Sequence, residues 1–364
     1  MPNPFSIDWQ HLKRLTDTNG LFEHAIKHLP NKEHAYCTDD NARAFLFTCY
    51  YHHLTKDDTI LPYMQKYLNF LHYSYTQKTG WFRNRLSLSR VWDDYDISET
   101  AHSRVIWCLG SALLYAPDDI KPICKALLKK GLPRLKRTKD PHSLALGLIG
   151  LSYFYKREPS EELTILITTL LQELNHHFVS SQSSTKWPWY SDEITWGSAI
   201  ITRGFLLGAD AISNNAKLQK GQSLLNWIIS KQYKNKMFSF IGNKGWYKKG
   251  SIPAAYDQQA IEAYTMLEAC ADAESLFKHA NYINYAKASL EWFLGKNING
   301  TLMIDTHSGG CYDGLLETGV NINQGAESTL SWLLSTTKLE INKRELLLKG
   351  EISDTKKLSK TLPK

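Results

Sequence analysis

Six polar motifs recur along the chain, each at the start of a segment with helical periodicity. The intervals between them run from 43 to 66 residues, and the motifs begin near Asp39, Glu99, His142, Glu193, Asp257 and Asn323. Each interval accommodates one helical hairpin and a loop. Six hairpins in series predict an (α/α)6 toroid, in which six inner helices begin on one face and outer helices return the chain. The alternative, an open solenoid, requires a consensus among the repeats, and these repeats share none.

The spacing of apolar residues supports an all-α fold. Apolar residues at i, i+3, i+4 and i+7 predict amphipathic helices, whereas strand signals are poor. The helical segments are 6–15, 40–54, 59–74, 99–115, 119–135, 142–156, 160–178, 194–213, 217–232, 257–272, 276–295 and 323–337. We therefore predict one toroid domain over residues 1–337, followed by a basic tail, helical or partly disordered, over residues 338–364.

Long connections precede four of the predicted inner helices. They cover residues 77–97, 181–192, 233–253 and 296–320. The connections at the opposite ends of these helices are short. Because long loops gathered on one face of a rigid scaffold commonly build a binding site, we expect the functional site on this face.

Charge and composition exclude several functions. The net charge is +7, but residues 338–364 contain eight Lys or Arg and four Asp or Glu, so a short tail carries much of the excess. We therefore expect no nucleic-acid partner. With no apolar run of membrane length and no secretory signal, we expect a cytoplasmic protein without a membrane partner. Six scattered cysteines, without a CxxC pair, indicate buried or free thiols, and we expect no metal and no cofactor.

The first two motifs place charged side chains on helix faces that point toward the ring centre. N-capping of the first inner helix explains one of Asp39 and Asp40, while the second carboxylate and Arg43, one turn on, point to function. Glu99 and His102 are three residues apart and share a face of the second inner helix. We expect a substrate-facing role for at least one residue of each motif.

Aromatic residues make up 12% of the chain and cluster in the long loops. Trp and Tyr in polar loops form flat stacking surfaces for sugars. Glu193 lies beside one such cluster. The rings that we expect to contact a sugar are Trp81, Trp187, Trp189, Tyr190, Trp246 and Tyr247.

The fifth and sixth motifs are rich in hydrogen-bonding side chains. Capping accounts for Asp257, but not for the two amides that follow it, Gln258 and Gln259, which are suited to binding vicinal hydroxyls. The sixth motif offers further candidate binding residues: Asp313, Asn323, Gln324 and Glu327. No HExxH, P-loop, GxGxxG or GxSxG motif is present.

Acids at the ends of inner helices, flanked by aromatic rings, favour glycoside hydrolysis, which needs two carboxyl groups. We predict Asp257 and Asp40 as the pair, with Glu99 in reserve, and a separation across the toroid that favours inversion. A sugar epimerase or isomerase, using His102 or His142, is one alternative. A non-catalytic carbohydrate-binding or glycosyltransferase-accessory protein is another.

The motifs also resemble those of a known family. They are TDDNAR at 38–43, SETAHSR at 98–104, DQQAIEA at 257–263 and NQGAEST at 323–329, within a similarity that spans residues 9–336. The sequence is similar to the (α/α)6 domain found fused to bacterial glycosyltransferases or encoded beside β-1,2-mannoside phosphorylases. This resemblance implies a fold like that of six-hairpin glycosidases, an oligosaccharide ligand containing mannose, and an association with a glycosyltransferase.

Two departures from the family pattern bear on activity. The family sequence SED is SET at residues 98–100, so its aspartate is lost. The family sequence YDNAR is WGSAI at residues 196–200, which loses an acid, an amide and an arginine together. These changes imply a subgroup with altered specificity or without catalysis. The acids that remain are Asp39, Asp40, Glu99, Glu193, Asp257 and Glu327.

Overall fold

The computed structural model describes residues 7–181, 184–278 and 280–348. These residues form twelve α-helices joined by short strands, which confirms the predicted all-α class. The helices are α1 (Gln10–Arg14), α2 (Thr38–Thr55), α3 (Leu61–Ser74), α4 (Glu99–Tyr115), α5 (Lys121–Leu135), α6 (Pro141–Arg157), α7 (Glu161–Ser180), α8 (Ser198–Ala211), α9 (Asn215–Gln232), α10 (Ala260–Phe277), α11 (Ala280–Phe293) and α12 (Ala326–Leu348).

The even-numbered helices form a closed inner ring. Each of α2, α4, α6, α8 and α10 contacts the next even-numbered helix, and α12 contacts α2, so the ring closes on itself. The helices α3, α5, α7, α9 and α11 each pack outside the inner helix that precedes them, and α1 packs against α12. This arrangement is the (α/α)6 toroid that the motif spacing predicted.

The inner helices are buried on nearly all sides, and small residues allow their close approach. Every residue of α10 from Ala260 to Glu274 is buried, as expected for a helix enclosed by neighbours. A Cβ on Gly110 would lie 2.2 Å from the carbonyl oxygen of Gly150, so α4 and α6 touch backbone to backbone. Larger side chains at these positions would force the two helices apart.

Short strands tie together the loops where the inner helices begin. The strands are β1 (Ala25–Ile26), β2 (Leu29–Pro30), β3 (Tyr36–Cys37), β4 (Arg85–Leu86), β5 (Glu193–Ile194), β6 (Tyr233–Lys234), β7 (Met237–Phe238), β8 (Tyr247–Lys248), β9 (Gln258–Gln259), β10 (Gly314–Leu316) and β11 (Gly319–Asn321). They pair as β1–β2, β3–β4, β5–β8 and β6–β7, and as a three-stranded sheet in the order β11–β10–β9. In that sheet Gly314 pairs with Gln259, so the loop before α12 is fixed to the loop before α10.

The last helix continues past the predicted domain boundary at residue 337. Leu339, Ile341 and Leu346 continue its apolar face and are buried. Lys338, which the sequence analysis assigned to the basic tail, is 3% exposed, and its Nζ lies 2.8 Å from Asp272 Oδ1. Residues 349–364 of the predicted tail lie outside the described residues.

Two further observations concern membrane helices and cysteines. No described helix is both long and apolar enough to cross a membrane. All six cysteines are buried free thiols.

A buried ionic cluster connects four inner helices at the centre of the toroid. Arg203 on α8 lies 2.5 Å from Glu268 and 2.6 Å from Asp272, both on α10. The Arg203 guanidinium also donates to the hydroxyl of Tyr153 on α6 (3.0 Å), and Lys338 on α12 completes the cluster. Because every charge has a partner of opposite sign, the cluster is tolerated inside the protein, but loss of one partner is costly.

We expect Arg203→Met to lower the free energy of unfolding by about 3–5 kcal/mol, because it leaves the Glu268 carboxylate buried without its cation. The control is Lys296→Met, which breaks a surface ion pair with Glu291 (2.6 Å) and should cost no more than about 1 kcal/mol. Urea denaturation of both variants measures the difference. Equal losses would show that the interior cluster contributes no more than a surface pair.

Candidate active site

The inner helices begin around a cavity of about 560 Å³. Its lining is dominated by carboxylates. These acids are Glu23, Asp39, Asp40, Asp257, Asp313 and Glu327, and they are accompanied by Arg43, Arg104 and His24. The cavity therefore presents many hydrogen-bond acceptors and an excess of negative charge to a ligand.

Arg43 joins three of these acids. Its Nη2 lies 2.7 Å from Asp39 Oδ2 and 2.6 Å from Asp40 Oδ1, because residues three and four positions apart share one face of α2. Its Nη1 lies 3.0 Å from Glu327 Oε2 on α12. Arg104 on α4 reaches Asp39 from the other side, with Nε 2.5 Å from Oδ1. Ion pairs therefore connect α2 to both of its neighbours in the ring.

The two aspartates at the start of α2 have opposite electrostatic environments. Burial acts to raise the pKa of Asp39, but Arg104 and Arg43 together lower it below its ordinary value. Burial raises the pKa of Asp40, and Arg43 offsets only part of this effect. Asp39 is thus held as a carboxylate, whereas Asp40 takes up a proton more readily.

Neither aspartate is the N-cap of α2, contrary to the expectation from the sequence. The N-cap is Cys37, whose sulfur accepts a hydrogen bond from the Asp40 backbone N–H (3.4 Å). The Cys37 thiol in turn donates to Asp40 Oδ2 (3.1 Å). Both aspartates lie inside the first turn, where their side chains reach the cavity.

Asp313 is held by one of its two carboxyl oxygens. Its Oδ1 accepts hydrogen bonds from the Gly325 backbone N–H (2.7 Å) and the Ser328 hydroxyl (2.5 Å). Among the described residues, no group donates a hydrogen bond to Oδ2. Burial raises the pKa of Asp313, although the hydrogen bonds from Ser328 and Gly325 act against it. Asp313 is therefore a fixed carboxyl group that takes up a proton more readily than a free aspartate and whose second oxygen is available.

Asp257 immediately precedes β9, and Asp313 immediately precedes β10, the strand that pairs with β9. Its φ of 61° is in the left-handed region, which is costly for a residue with a side chain. The N-cap of α10 is Gln259, so capping does not explain this conformation. A Cβ on Gly314 would lie 2.9 Å from Asp257 Oδ1, so glycine at this position makes room for the carboxylate. No described residue pairs with the Asp257 carboxylate, which leaves it available to a ligand.

The structure brings together seven of the predicted site residues. The cavity is lined by Asp39, Asp40, Arg43, Asp257, Gln259, Asp313 and Glu327. They come from the ends of α2, α10 and α12 and from the loops that β9 and β10 hold together.

Two predicted amides instead fasten loops. Gln258 is fully buried, and its Oε1 accepts hydrogen bonds from the Phe240 backbone N–H (3.0 Å) and the Trp292 indole (2.9 Å). Gln324 is also buried and donates through Nε2 to Asp305 (2.8 Å). With their amides committed to protein groups, neither side chain lines the cavity.

Glu99 and His102 also lie outside the cavity lining. Glu99 Oε2 accepts a hydrogen bond from the Asp140 backbone N–H (3.2 Å) and so holds the loop that precedes α6. His102 is fully buried between the Gly131 carbonyl (3.1 Å from Nε2) and the Phe82 backbone N–H (3.3 Å from Nδ1). Burial lowers the pKa of His102 to about 4, so its ring is neutral.

Two further predicted residues contact other parts of the protein and do not line the cavity. The Asn323 Oδ1 accepts a hydrogen bond from the Lys27 backbone N–H (2.9 Å), which joins the sixth motif to the β1–β2 hairpin. Glu193 pairs with Lys248 across β5 and β8 and lines a shallow surface groove separate from the cavity.

The six aromatic rings predicted to contact a sugar pack against the protein instead. Trp187 is buried against Trp227 of α9, with ring centroids 5.3 Å apart, and Tyr190 packs against Phe178 of α7 at 5.4 Å. The same holds for the rest of the set: Trp189 and Tyr247 are buried, Trp246 is half-buried against the core, and Trp81 lies edge-on to His102. None of the six rings lines the cavity.

Several lining residues were not among the predicted ones. Arg104 lies one turn into α4 on the face that the helical period assigns to the ring centre, so its position was detectable. Thr100 and Ser328 likewise lie in the first turns of α4 and α12. The other polar or aromatic ones come from loops and short strands, where no helical period indicates the direction of a side chain: Glu23, His24, Cys37, Asn84, Ser98, Trp196, Asn243 and Asn321.

One group of potential metal ligands occurs among the described residues. Donor atoms of Glu23, Cys37 and Asp40 lie within 4.8 Å of one another. Two of these groups already face cations, since Glu23 pairs with Arg85 (2.7 Å) and Asp40 with Arg43. The expectation of no metal remains a prediction.

Comparison with known proteins identifies the fold class. No protein-family profile matches the sequence, and no curated protein is similar to it. Solved structures do match: cellobiose 2-epimerase from Bacillus thermoamylovorans shares 11% identity at a TM-score of 0.71, over 92% of this chain and 96% of that one. A GH76 α-mannanase from Bacteroides thetaiotaomicron shares 11% identity at a TM-score of 0.67, over 93% and 94%.

A third match is an inactive variant of the α-1,6-mannanase GH76A of Salegentibacter sp. in complex with α-1,6-mannotriose. It shares 10% identity at a TM-score of 0.61, over 92% of this chain and 96% of that one. These similarities establish that the chain has the (α/α)6 toroid fold of these enzymes over nearly its whole length.

A buried carboxyl group adjoins the cavity at the start of α10. Glu262 is 3% exposed, and its Oε1 accepts a hydrogen bond from the Gly197 backbone N–H (2.7 Å). Burial raises its pKa to about 8, and the nearby Glu327 charge adds to the effect. The folded protein therefore holds Glu262 neutral at pH 7.

This raised pKa makes stability depend on pH. Because the folded state binds the Glu262 proton more tightly than the unfolded state, the resulting stability is complete below the ordinary value of 4.5 and is lost as pH rises through about 8. Between pH 5 and 9, this group should make the free energy of unfolding fall by roughly 3–5 kcal/mol, and we expect Glu262→Gln to abolish that fall. Urea denaturation at both pH values tests this, with Glu193→Gln as the control. The same pH dependence in Glu262→Gln and in the unmutated protein would contradict it.

Proposed function

We propose that the protein is a carbohydrate-active enzyme, specifically a glycoside hydrolase that cleaves an oligosaccharide by carboxyl acid/base catalysis. One observation carries the proposal. Two carboxyl groups of contrasting environment, Asp313 and Asp257, lie on adjacent strand connections and line one cavity. Hydrolysis of a glycosidic bond needs one group that donates a proton and one that activates water or attacks the anomeric carbon.

Asp313 fits the role of the acid. Burial raises its pKa, so it takes up a proton more readily than a free aspartate, and the two hydrogen bonds to Oδ1 leave Oδ2 as the position for the proton. From there the proton would pass to the oxygen of the leaving sugar. Gly325 and Ser328 would hold the carboxyl group in place during the transfer.

Asp257 fits the role of the base or nucleophile. Its carboxylate has no protein partner among the described residues, and the strained left-handed backbone holds it at the cavity surface. Residues kept in unfavourable backbone conformations often cluster at active sites. The prediction of inversion remains open to test, because either water activation or direct attack suits this position.

Asp40, the partner that the sequence analysis paired with Asp257, is less suited to proton donation. Its Oδ1 is 2.6 Å from the Arg43 guanidinium and its Oδ2 accepts a hydrogen bond from the Cys37 thiol (3.1 Å), so both carboxyl oxygens are committed to protein groups although burial raises the pKa of Asp40. We assign Asp40 to holding Arg43 in place. Arg43 then presents its guanidinium, and with it Asp39 and Glu327, to the substrate hydroxyls.

The similar structures support a carbohydrate substrate. They are a cellobiose 2-epimerase, an α-mannanase and an α-1,6-mannanase variant in complex with α-1,6-mannotriose. Together with the family resemblance, they make mannose-containing oligosaccharides the first substrates to test. An association with a glycosyltransferase rests on the resemblance alone.

Epimerisation is less well supported by the cavity. Abstraction of a proton beside a carbonyl commonly uses histidine bases. His24 is the single histidine that lines the cavity among the described residues, whereas His102 and His142 lie outside its lining. A non-catalytic binding protein is the other alternative, since Arg43 already neutralises several of the acids.

We expect Asp257→Asn and Asp313→Asn each to lower kcat by about 10²–10⁴-fold while sugar binding persists, because each removes one acid/base group. Product release from β-1,2-linked and α-linked manno-oligosaccharides measures activity, and proton NMR of the first product reports its anomeric form. The control is Asp192→Asn, an exposed acid outside the cavity, which should be fully active.

The pH profile separates the two roles. Since Asp313 must be protonated to act, kcat/KM should fall as pH rises through its raised pKa. The residual activity of Asp313→Asn should lack that alkaline limb. Thermal stabilisation of every variant by a sugar that none of them cleaves would support the binding alternative. No product and no stabilisation by any sugar would overturn the proposed function.

A further inference from the structure

The cavity has one aromatic wall. The polar lining comes mainly from α2, α4, α10 and α12, whereas no residue of α6 or α8 lines the cavity among the described residues. Trp196, in the connection that leads into α8, covers this part of the ring. In the order of contacts around the ring, α8 lies opposite α2 and α6 lies opposite α12. The indole therefore stands across the cavity from the charged groups of α2 and α12.

Trp196 is supported from behind by His142, near the start of α6. Their rings are stacked, with centroids 4.3 Å apart and planes 15° apart. His142 is 6% exposed, and its Nε2 donates a hydrogen bond to the Trp196 carbonyl oxygen (2.7 Å). One indole face is thus covered by a buried imidazole, while the half-buried Trp196 still lines the cavity.

The connection around Trp196 is also fixed in position. Gly197 adopts a left-handed conformation with φ of 62°, and its N–H donates to Glu262 on α10 (2.7 Å). A Cβ on Gly197 would lie 3.0 Å from Ile200 Cδ1, which is a tight contact. The backbone on both sides of the turn is therefore held, so the indole is presented in a single orientation.

We infer that Trp196 is the stacking platform for a pyranose ring of the substrate and that His142 is its positioning residue. A pyranose has a C–H face that packs on an indole and equatorial hydroxyls that project outward around the edge of the sugar ring, where hydrogen-bonding groups can meet them. With its C–H face on Trp196, such a ring places its hydroxyls among the polar groups that line the cavity, which include Asp39, Arg43 and Glu327. This inference rests on the proposed carbohydrate function and names a specificity-determining residue that the six aromatic rings predicted from the sequence do not include.

Binding should be measured by calorimetry in the Asp257→Asn background, so that no substrate is consumed. The probes are α-1,6-mannotriose, β-1,2-mannobiose and cellobiose. One or more of these probes should bind. For each of them we expect Trp196→Ala to raise Kd by about tenfold or more, because it removes the aromatic contact. Trp196→Phe, which keeps a flat ring, should bind within a few fold of its Asp257→Asn parent.

The matched control is Trp81→Ala. Trp81 is also half-buried and also lies against a buried histidine, His102, at 4.8 Å between ring centroids, but it does not line the cavity. Its removal should leave binding unchanged.

His142→Ala should raise Kd and KM without a matching loss of kcat, and His142→Phe should restore most of the affinity by restoring a ring behind Trp196.

Several outcomes would overturn the inference or separate it from the proposed function. Unchanged binding in a folded Trp196→Ala variant, with folding checked by thermal unfolding, overturns the platform and leaves hydrolysis untouched. A Trp196-dependent affinity in a protein that releases no product supports the platform and overturns the hydrolase. Absence of binding by any probe overturns both for those sugars.

Discussion

Ion pairs of one buried guanidinium link the two ends of the ring. Where the last inner helix packs against the first, Arg43 of α2 contacts two aspartates on its own helix and Glu327 of α12. Asp39 also forms an ion pair with Arg104 of α4. The same contacts that close the toroid also fix the polar floor of the cavity, so architecture and candidate chemistry share one set of side chains. Charges in a site of limited solvent access interact strongly, which makes this arrangement both stabilising and directional.

A second set of charges lies deeper along the ring axis, around Arg203. Between the two sets stands Trp107, which is buried and has Arg104 at 5.7 Å and Arg203 at 5.2 Å from its ring. Cation–π attraction of this kind gains strength when the groups are desolvated. At this point of the toroid a buried aromatic ring therefore separates two sets of charged side chains. This explains why inner helices carry polar residues at positions that face the ring interior.

The apolar period predicted the helices, most clearly the outer ones, because each outer helix buries one stripe of side chains. The order of the inner helices followed from the spacing of the six polar motifs. The helical period also predicted residues in the first turns, such as Asp39 and Arg43, since a helix fixes the direction of its side chains. Loop residues carry no such period. Trp187 and Gln258 therefore looked like ligand-binding groups but pack into the protein, whereas Glu23 and Trp196 reach the cavity without any local signal. Which face of a loop meets the cavity is decided by tertiary contacts, here the pairing of β9 with β10 and of β5 with β8.

The position of α12 has a consequence for biosynthesis. Glu327 and Ser328 lie in the first turn of α12, and Asp313 lies in the connection that precedes it. Of the inner helices, α12 is the one that contacts both α10 and α2. During translation the earlier helices leave the ribosome as an open arc, in which the surfaces of α2 and α10 that α12 covers are not yet buried. Only the final part of the described chain closes the arc and completes the cavity in the same step. A chain that ends before α12 would leave these surfaces exposed, and exposed core surface of this kind favours aggregation.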